Sequence, residues 1–344
     1  MALWLVRAGS RGEHEQHFLD TKKVYVTWHN LKSDLSKLAT KQDLQQVLRD
    51  RDPNQTKGKI NNNSGQLWPF VNEMKPGDWV VVPSKLRPAI HIAEITGPYV
   101  FDAKANDPYF HYRTIKWVAK DIPRSNFDQD LLYSFGAFMT ICKIERNEAE
   151  QRIRAMAKTN WLATVASTLP EEVAEQIEAA GAIDLEQIAR DQIARLIIRK
   201  FKGHGMEVLV EAVLKAQGYT TYRSPEGRDK GVDILAAPGL LGFERPRICV
   251  QVKSSDSPVD LPTLNQLIGS MQNVHAEQGL LVSWGGFKSS VLNELPTQFF
   301  RVRLWNQDDL IRELLAIYDK LDEEIKAELP LKRIWTVTVQ EDLE

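Results

Sequence analysis

Three residues in one short stretch have the types and spacing to do chemistry. In GVDILAAPGLLGFERPRICVQVK, residues 231–253, Asp233 stands beside a short apolar run, and Gln251 and Lys253 alternate with the valines of a second run. A period of two puts Ile248, Val250 and Val252 on one face of that second run and Cys249, Gln251 and Lys253 on the other. An amide and an ammonium on a strand face that packs against hydrocarbon are costly, so their presence suggests a use. If the two runs form a hairpin that brings Asp233 alongside Gln251, then a carboxylate, an amide oxygen and a lysine converge at a strand end. Such a set can hold a hard divalent cation through oxygen ligands, leaving the lysine to sit over a phosphate or an attacking water.

The elements around this stretch must position it. Pro238, Gly239 and Gly242 form the turn-rich link of a hairpin. Upstream, GMEVLVEAVLKAQGY has apolar residues at helical spacing with a stop at Gly218, and TTYRS reads as a strand. Downstream come a helix, LPTLNQLIGSMQNVHAEQ, a buried strand, GLLVSWGGF, and a last strand and helix within RVRLWNQDDLIRELLAIYDKLDEEI. Helices flanking a mixed sheet predict an α/β domain over 201–344, with KRIWTVTVQ as a further edge strand. Its first helix offers Glu207 and, one turn on and on the same side, Glu211 as a further carboxylate. Arg195, Arg199, Lys200, Lys202 and His204 precede that helix, and Arg223, Arg228 and Lys230 precede Asp233. Basic groups so placed can contact a phosphate backbone without reading sequence.

The chain is long enough for two domains, at 344 residues. Residues 1–145 hold several short β-type runs (ALWLVRA, VYVTW, WVVVP, AIHIAEITGPYVF, HYRTIKWVA, AFMTICKI) and a helical stretch, DLSKLATKQDLQQVLRD. KGKINNNSGQLWPFVNEM reads as polar and turn-prone before it becomes apolar at Trp68 and Phe70. A compact, barrel-like α+β domain is expected there, with Trp79 in its core. Residues 146–200 are helical in pattern and read as a linker, a clamp or a dimerisation surface. The net charge of −2 does not announce a nucleic-acid binder, so any basic footprint must be local. Cys142 and Cys249 lie far apart inside apolar runs, as reduced core residues do. No stretch approaches the length of a membrane span, and the N-terminus lacks the apolar core of a signal peptide, so a cytoplasmic, soluble protein is expected.

Phe201 to Leu314 resembles the Mrr-type restriction endonucleases of the PD-(D/E)xK nuclease superfamily. The resemblance rests on GMEVLVEAVLKAQGY, GRDKGVDILA, ICVQVK, GLLVSWGGF and NQDDLIREL occurring in that order. It implies a nuclease centre of a helix glutamate, matched by Glu207, a strand aspartate, matched by Asp233, and a Q-x-K triplet, matched by Gln251 and Lys253. It also implies Mg²⁺, or Mn²⁺, held by Asp233, Gln251 and Glu207, with DNA phosphates met by Arg199, Lys200, Lys202, Arg228 and Lys230. Gln251 stands where the wider superfamily has an acid, which is usual for the Mrr branch and removes one negative charge from the metal site.

WLVRAG, GQLWPF, PGDWVVVP, ITGPYVF and HYRTIKW resemble, more loosely, the PUA-superfamily modules, including EVE-like domains. That implies a pocket in which a flipped or modified base stacks on aromatic walls, with Trp28, Trp68, Tyr99 and Trp117 as candidates. Asn63, Ser64, Gln66 and Asp34 are the matching candidates for polar readers. Together the two resemblances imply a modification-dependent DNA endonuclease of prokaryotic defence, acting as a homodimer because cutting both strands needs two centres or two binding events. Three alternatives stay open: an effector nuclease switched on by a small nucleotide, an RNA target, and a non-catalytic reader of modified DNA.

Overall fold

The computed structural model describes residues 1–136, 139–161, 185–225 and 231–334. The chain divides into two compact units, one within residues 1–188 and the other beginning at Ala189.

The first unit is built on a six-stranded sheet of β1 (Leu3–Val6), β2 (Lys23–Val26), β3 (Trp79–Pro83), β4 (Ala89–Phe101), β5 (His111–Pro123) and β6 (Ile141–Ile144), in the order β2-β5-β4-β3-β1-β6. Only β1 and β3 pair in parallel. Strand alternation sends Trp4, Val6, Val80 and Val82 into one apolar cluster and Leu3, Leu5, Trp79 and Val81 into another. Both faces are thus covered, which explains why these strands are continuously apolar. The barrel expected from the strand count is not closed: β2 and β6 are the free edges, and the sheet is open among the described residues. A barrel encloses one interior, whereas this sheet has a separate core on each face. In β4, alternation sends Ile90 and Ile92 into one core and Ala93 and Ile95 into the other.

The stretch read as turn-prone is instead the helix Lys57–Asn72. Thr56 caps it, accepting a hydrogen bond from the Lys59 N–H at 3.2 Å, and it buries Ile60, Ser64, Leu67, Phe70 and Val71 at helical spacing. Burial of this stripe overrides the poor helix propensity of Asn61, Asn62 and Asn63. The helix Ala149–Lys158, inside the expected connector, adds Ala149, Ile153 and Met156 to the first unit's second cluster. The remainder of that connector over 162–184 lies outside the described residues.

Glu15 is buried in the first unit, 3.3 Å from His91 Nε2 and 3.2 Å from Arg87. Arg87 also pairs with Asp121 at 2.7 Å. Burial alone would raise the Glu15 carboxyl, but hydrogen bonds from His91, Ser84 and Arg87 outweigh it and hold the group below the ordinary glutamate range. A depressed folded-state value adds stability at neutral pH that disappears as pH falls through that value. The denaturant midpoint is therefore expected to fall steeply in acid, and Glu15→Gln to flatten that limb. Superimposable acid profiles for the two proteins would exclude this role.

The second unit holds β7 (Thr220–Arg223), β8 (Ile234–Ala237), β9 (Ile248–Lys253), β10 (Gln278–Ser283) and β11 (Val302–Trp305), in the order β11-β10-β9-β8-β7. β7, β8 and β9 pair antiparallel, while β9, β10 and β11 pair in parallel. This is the mixed sheet with flanking helices that the sequence predicts. Helices Leu185–Phe201, His204–Ala216 and Gln307–Ile317 pack with Val250 and Val252, and helix Leu261–Asn273 packs with Cys249. The expected strand in KRIWTVTVQ begins in described residues that form no strand and continues outside them. No helix among the described residues is long and apolar enough to cross a membrane.

Candidate nuclease centre

The hairpin β8–β9 pairs Ile234 with Val250 and Leu235 with Cys249. One step further along this register Asp233 lies opposite Gln251. The Asp233 N–H donates to the Val250 carbonyl at 3.0 Å, and the Asp233 carboxylate accepts from the Val252 N–H at 2.5 Å. The carboxylate is thereby fixed against the residue that separates Gln251 from Lys253. Asp233 is 3% exposed and Gln251 fully buried. Lys253 is half-buried and forms no ion pair among the described residues.

Ser254, the next residue, accepts a hydrogen bond from the Gly203 N–H at 3.1 Å, tying the end of β9 to the start of helix His204–Ala216. Glu207 in the first turn of that helix comes under the influence of Asp233. Burial pushes its carboxyl above the usual range, the Asp233 charge pushes it further, and the His204 ring, 2.7 Å away, opposes both. Glu211 is differently occupied. It accepts from Thr221 Oγ1 at 2.9 Å and pairs with Lys215 at 3.1 Å and Arg223 at 3.6 Å, bracing the helix against β7. Glu207 thus feels the Asp233 charge, whereas Glu211 is engaged with β7.

Gln251 is the unusual member. Its Oε1 and Nε2 are both buried with no hydrogen-bond partner. Leaving such a group unsatisfied costs about 1–3 kcal/mol. A divalent cation fits this donor set: two carboxylates and a free amide oxygen are hard oxygen donors, with water and substrate oxygens to complete the shell. No group of three or more His, Cys, Asp or Glu side chains suited to a metal occurs among the described residues. Replacing Gln251 by the near-isosteric methionine is expected to raise stability by about 1 kcal/mol, read as a higher denaturant midpoint. A lower midpoint would show that the amide has a structural partner.

Of the expected phosphate contacts, Arg199 and Lys202 are exposed, whereas Lys200 pairs with Glu328 at 2.8 Å. Arg228 and Lys230 lie outside the described residues. His204, read from sequence as one of this basic group, is instead the partner of Glu207. Their i, i+3 spacing at a helix start was the signal available for that pair.

In the first unit, Trp28, Trp68, Tyr99 and Trp117 all join one apolar cluster. Trp28 is fully buried within it, and the other three pack against it partly exposed. The proposed polar readers are largely engaged. Gln66 accepts from the Ile141 N–H at 3.1 Å, and Ser64 donates to the Asn61 carbonyl at 3.0 Å. Asp34 caps a short helical turn through the Ser36 N–H at 3.1 Å, and Asn63 is buried. Sequence reasoning missed Arg51, whose guanidinium lies 5.9 Å from the Trp28 ring and whose Nη1, like Trp28 Nε1, is buried with no hydrogen-bond partner.

Comparison with known proteins agrees with the geometry of the second unit. Residues 198–314 match the Mrr_cat family of restriction endonucleases, so this region carries a restriction-endonuclease domain. Such a domain is a nuclease, a hydrolase of phosphodiester bonds. Residues 4–137 match a family described as a domain of unknown function, DUF8426. No curated protein matches the chain. Among solved structures, the DNA modification-dependent restriction endonuclease AspBHI is similar at 15% identity, over 74% of this chain and 67% of that one, with a TM-score of 0.34. MspJI restriction endonuclease in complex with a 27-mer oligonucleotide is similar at 16% identity, over 96% of this chain and 80% of that one, with a TM-score of 0.32.

Proposed function

We propose that this chain is a modification-dependent DNA endonuclease, whose first unit reads an altered base and whose second unit hydrolyses phosphodiester bonds. The observation that carries the nuclease reading is the convergence of Asp233, Glu207 and the unpartnered Gln251 amide at one end of the β8–β9 hairpin. Asp233, Gln251 and Glu207 would hold Mg²⁺ or Mn²⁺. A bound cation supplies Lewis-acid polarisation of the phosphate and acidifies water for the attack. Lys253, without a carboxylate partner among the described residues, stabilises the charge that builds on the phosphate oxygens. Arg199 and Lys202 add exposed positive charge before the Glu207 helix and hold the strand by its backbone.

Base reading belongs to the first unit. What supports it is the clustering of Trp28, Trp68, Tyr99 and Trp117, together with the unpartnered donors of Trp28 and Arg51. Asn63, Ser64, Gln66 and Asp34 complete the proposed polar lining, with Gln66 and Asp34 set back by their backbone bonds. Cutting both strands calls for two centres or two binding events, and the enzyme works as a homodimer in prokaryotic defence, in the cytoplasm.

The test is cleavage of matched duplexes carrying unmodified, 5-methyl, 5-hydroxymethyl or glucosylated cytosine, with Mg²⁺ present. Cutting of one modified duplex over the unmodified one is the expected result. Equal cutting of all four would remove the base-reading half and leave the nuclease.

A further inference from the structure

A cavity lies at the end of the second unit's sheet opposite the nuclease centre. It encloses about 200 Å³ where β9, β10 and β11 begin, floored by Leu214, Ile248 and Leu280. Tyr219 and Trp305 supply aromatic walls, and Arg301 and Arg303 stand at the cavity with no acidic residue in the lining. Arg301 is exposed, and its side chain has neither an ion pair nor a hydrogen bond among the described residues. Its carbonyl accepts from the Gly279 N–H at 2.8 Å, which holds its backbone against the start of β10. Arg303 is pre-positioned differently, with its guanidinium 4.4 Å from the Phe299 ring and bonded to the Phe299 and Val302 carbonyls. Beside them Phe300 is 87% exposed, an unusual fate for a phenylalanine at a cavity mouth.

Apolar floor, two aromatic walls and two unopposed cations describe a ligand that is flat and apolar on its faces and anionic at one edge. The volume suits a single aromatic base. Arginine is also the side chain best shaped to grip a phosphate through paired N–H donors.

We propose that this cavity binds one phosphorylated nucleobase, with the base between Tyr219 and Trp305 and the phosphate on Arg301 and Arg303. The same chemistry is offered by a free mononucleotide and by an unpaired terminal nucleotide of a strand. The site is distinct from the nuclease centre. β9 runs from Ile248 in the floor to Lys253 in the centre, roughly 16 Å of extended strand.

The experiment is calorimetric titration of the full chain with each of the four deoxynucleoside 5′-monophosphates, in EDTA and in an Asp233→Asn background. That background and the chelator disable the nuclease centre, so the outcome is independent of the proposed activity. Binding of at least one nucleotide, weakened about tenfold or more by the surface substitution Arg301→Glu, is the expected result. Absence of binding by all four at millimolar concentration, or equal affinity in Arg301→Glu, would overturn the proposal. A 5′-phosphorylated single-stranded hexanucleotide separates the sources. If its Arg301-dependent affinity exceeds that of the mononucleotide, the ligand is a strand end; if it falls below, the ligand is the free nucleotide.

Discussion

Asp233→Asn is expected to reduce DNA cleavage by about 10³-fold or more while leaving the fold intact. The two effects separate because the side chain has two jobs. As an acceptor for the Val252 N–H at 2.5 Å it holds the start of β8 to β9, and an asparagine oxygen can keep that bond. As a negative charge, 3% exposed and close enough to raise the Glu207 carboxyl, it makes the pocket attractive to a cation, and asparagine removes that entirely. Stability should therefore change by no more than about 1 kcal/mol, the scale of one altered hydrogen bond. Thermal denaturation and a cleavage time course on the same preparation measure both. An asparagine variant that cuts like the wild type would mean that the centre lies elsewhere.

The largest expected effect on stability belongs to Arg113, at the heart of the first unit. Its guanidinium is 2% exposed and has three carbonyls around it: Phe70 at 2.7 Å, Val71 at 3.0 Å and Gly97 at 3.3 Å. The first two are carbonyls in the last turn of helix Lys57–Asn72, which that helix cannot satisfy internally. Burial pulls the guanidinium down to about 10, against the opposing pull of Asp78, so it stays charged at neutral pH. Arg113→Met keeps the apolar stem and strands those carbonyls, at a cost of about 3–5 kcal/mol. A denaturant-unfolding series measures it, and a loss below about 1 kcal/mol would show that water replaces the guanidinium.

The hairpin was legible because its signals are local. Period-two alternation set the faces of Ile248 to Lys253, and Pro238, Gly239 and Gly242 marked the turn, so Asp233 could be placed near Gln251 before any pairing was known. The choice between Glu207 and Glu211 was not local. It depends on Thr221 and Arg223 on β7, which engage Glu211, and on the Asp233 charge felt by Glu207. Helix Lys57–Asn72 was hidden by its asparagines, whose turn preference gives way once Leu67 and Phe70 are buried. The open sheet was equally hidden, because short apolar strands read alike whether they close around one core or separate two. Arg51 had no sequence signal at all, since its position over Trp28 arises only when helix Lys41–Arg51 packs.

On the proposed reading, the buried, unpartnered amide of Gln251 serves chemistry and not the fold. Its most direct test is the cleavage time course of a susceptible duplex with Mg²⁺, comparing wild type with Gln251→Met at equal concentration. The methionine variant, folded and at least as stable, is expected not to cut. Cleavage by Gln251→Met at the wild-type rate would contradict it.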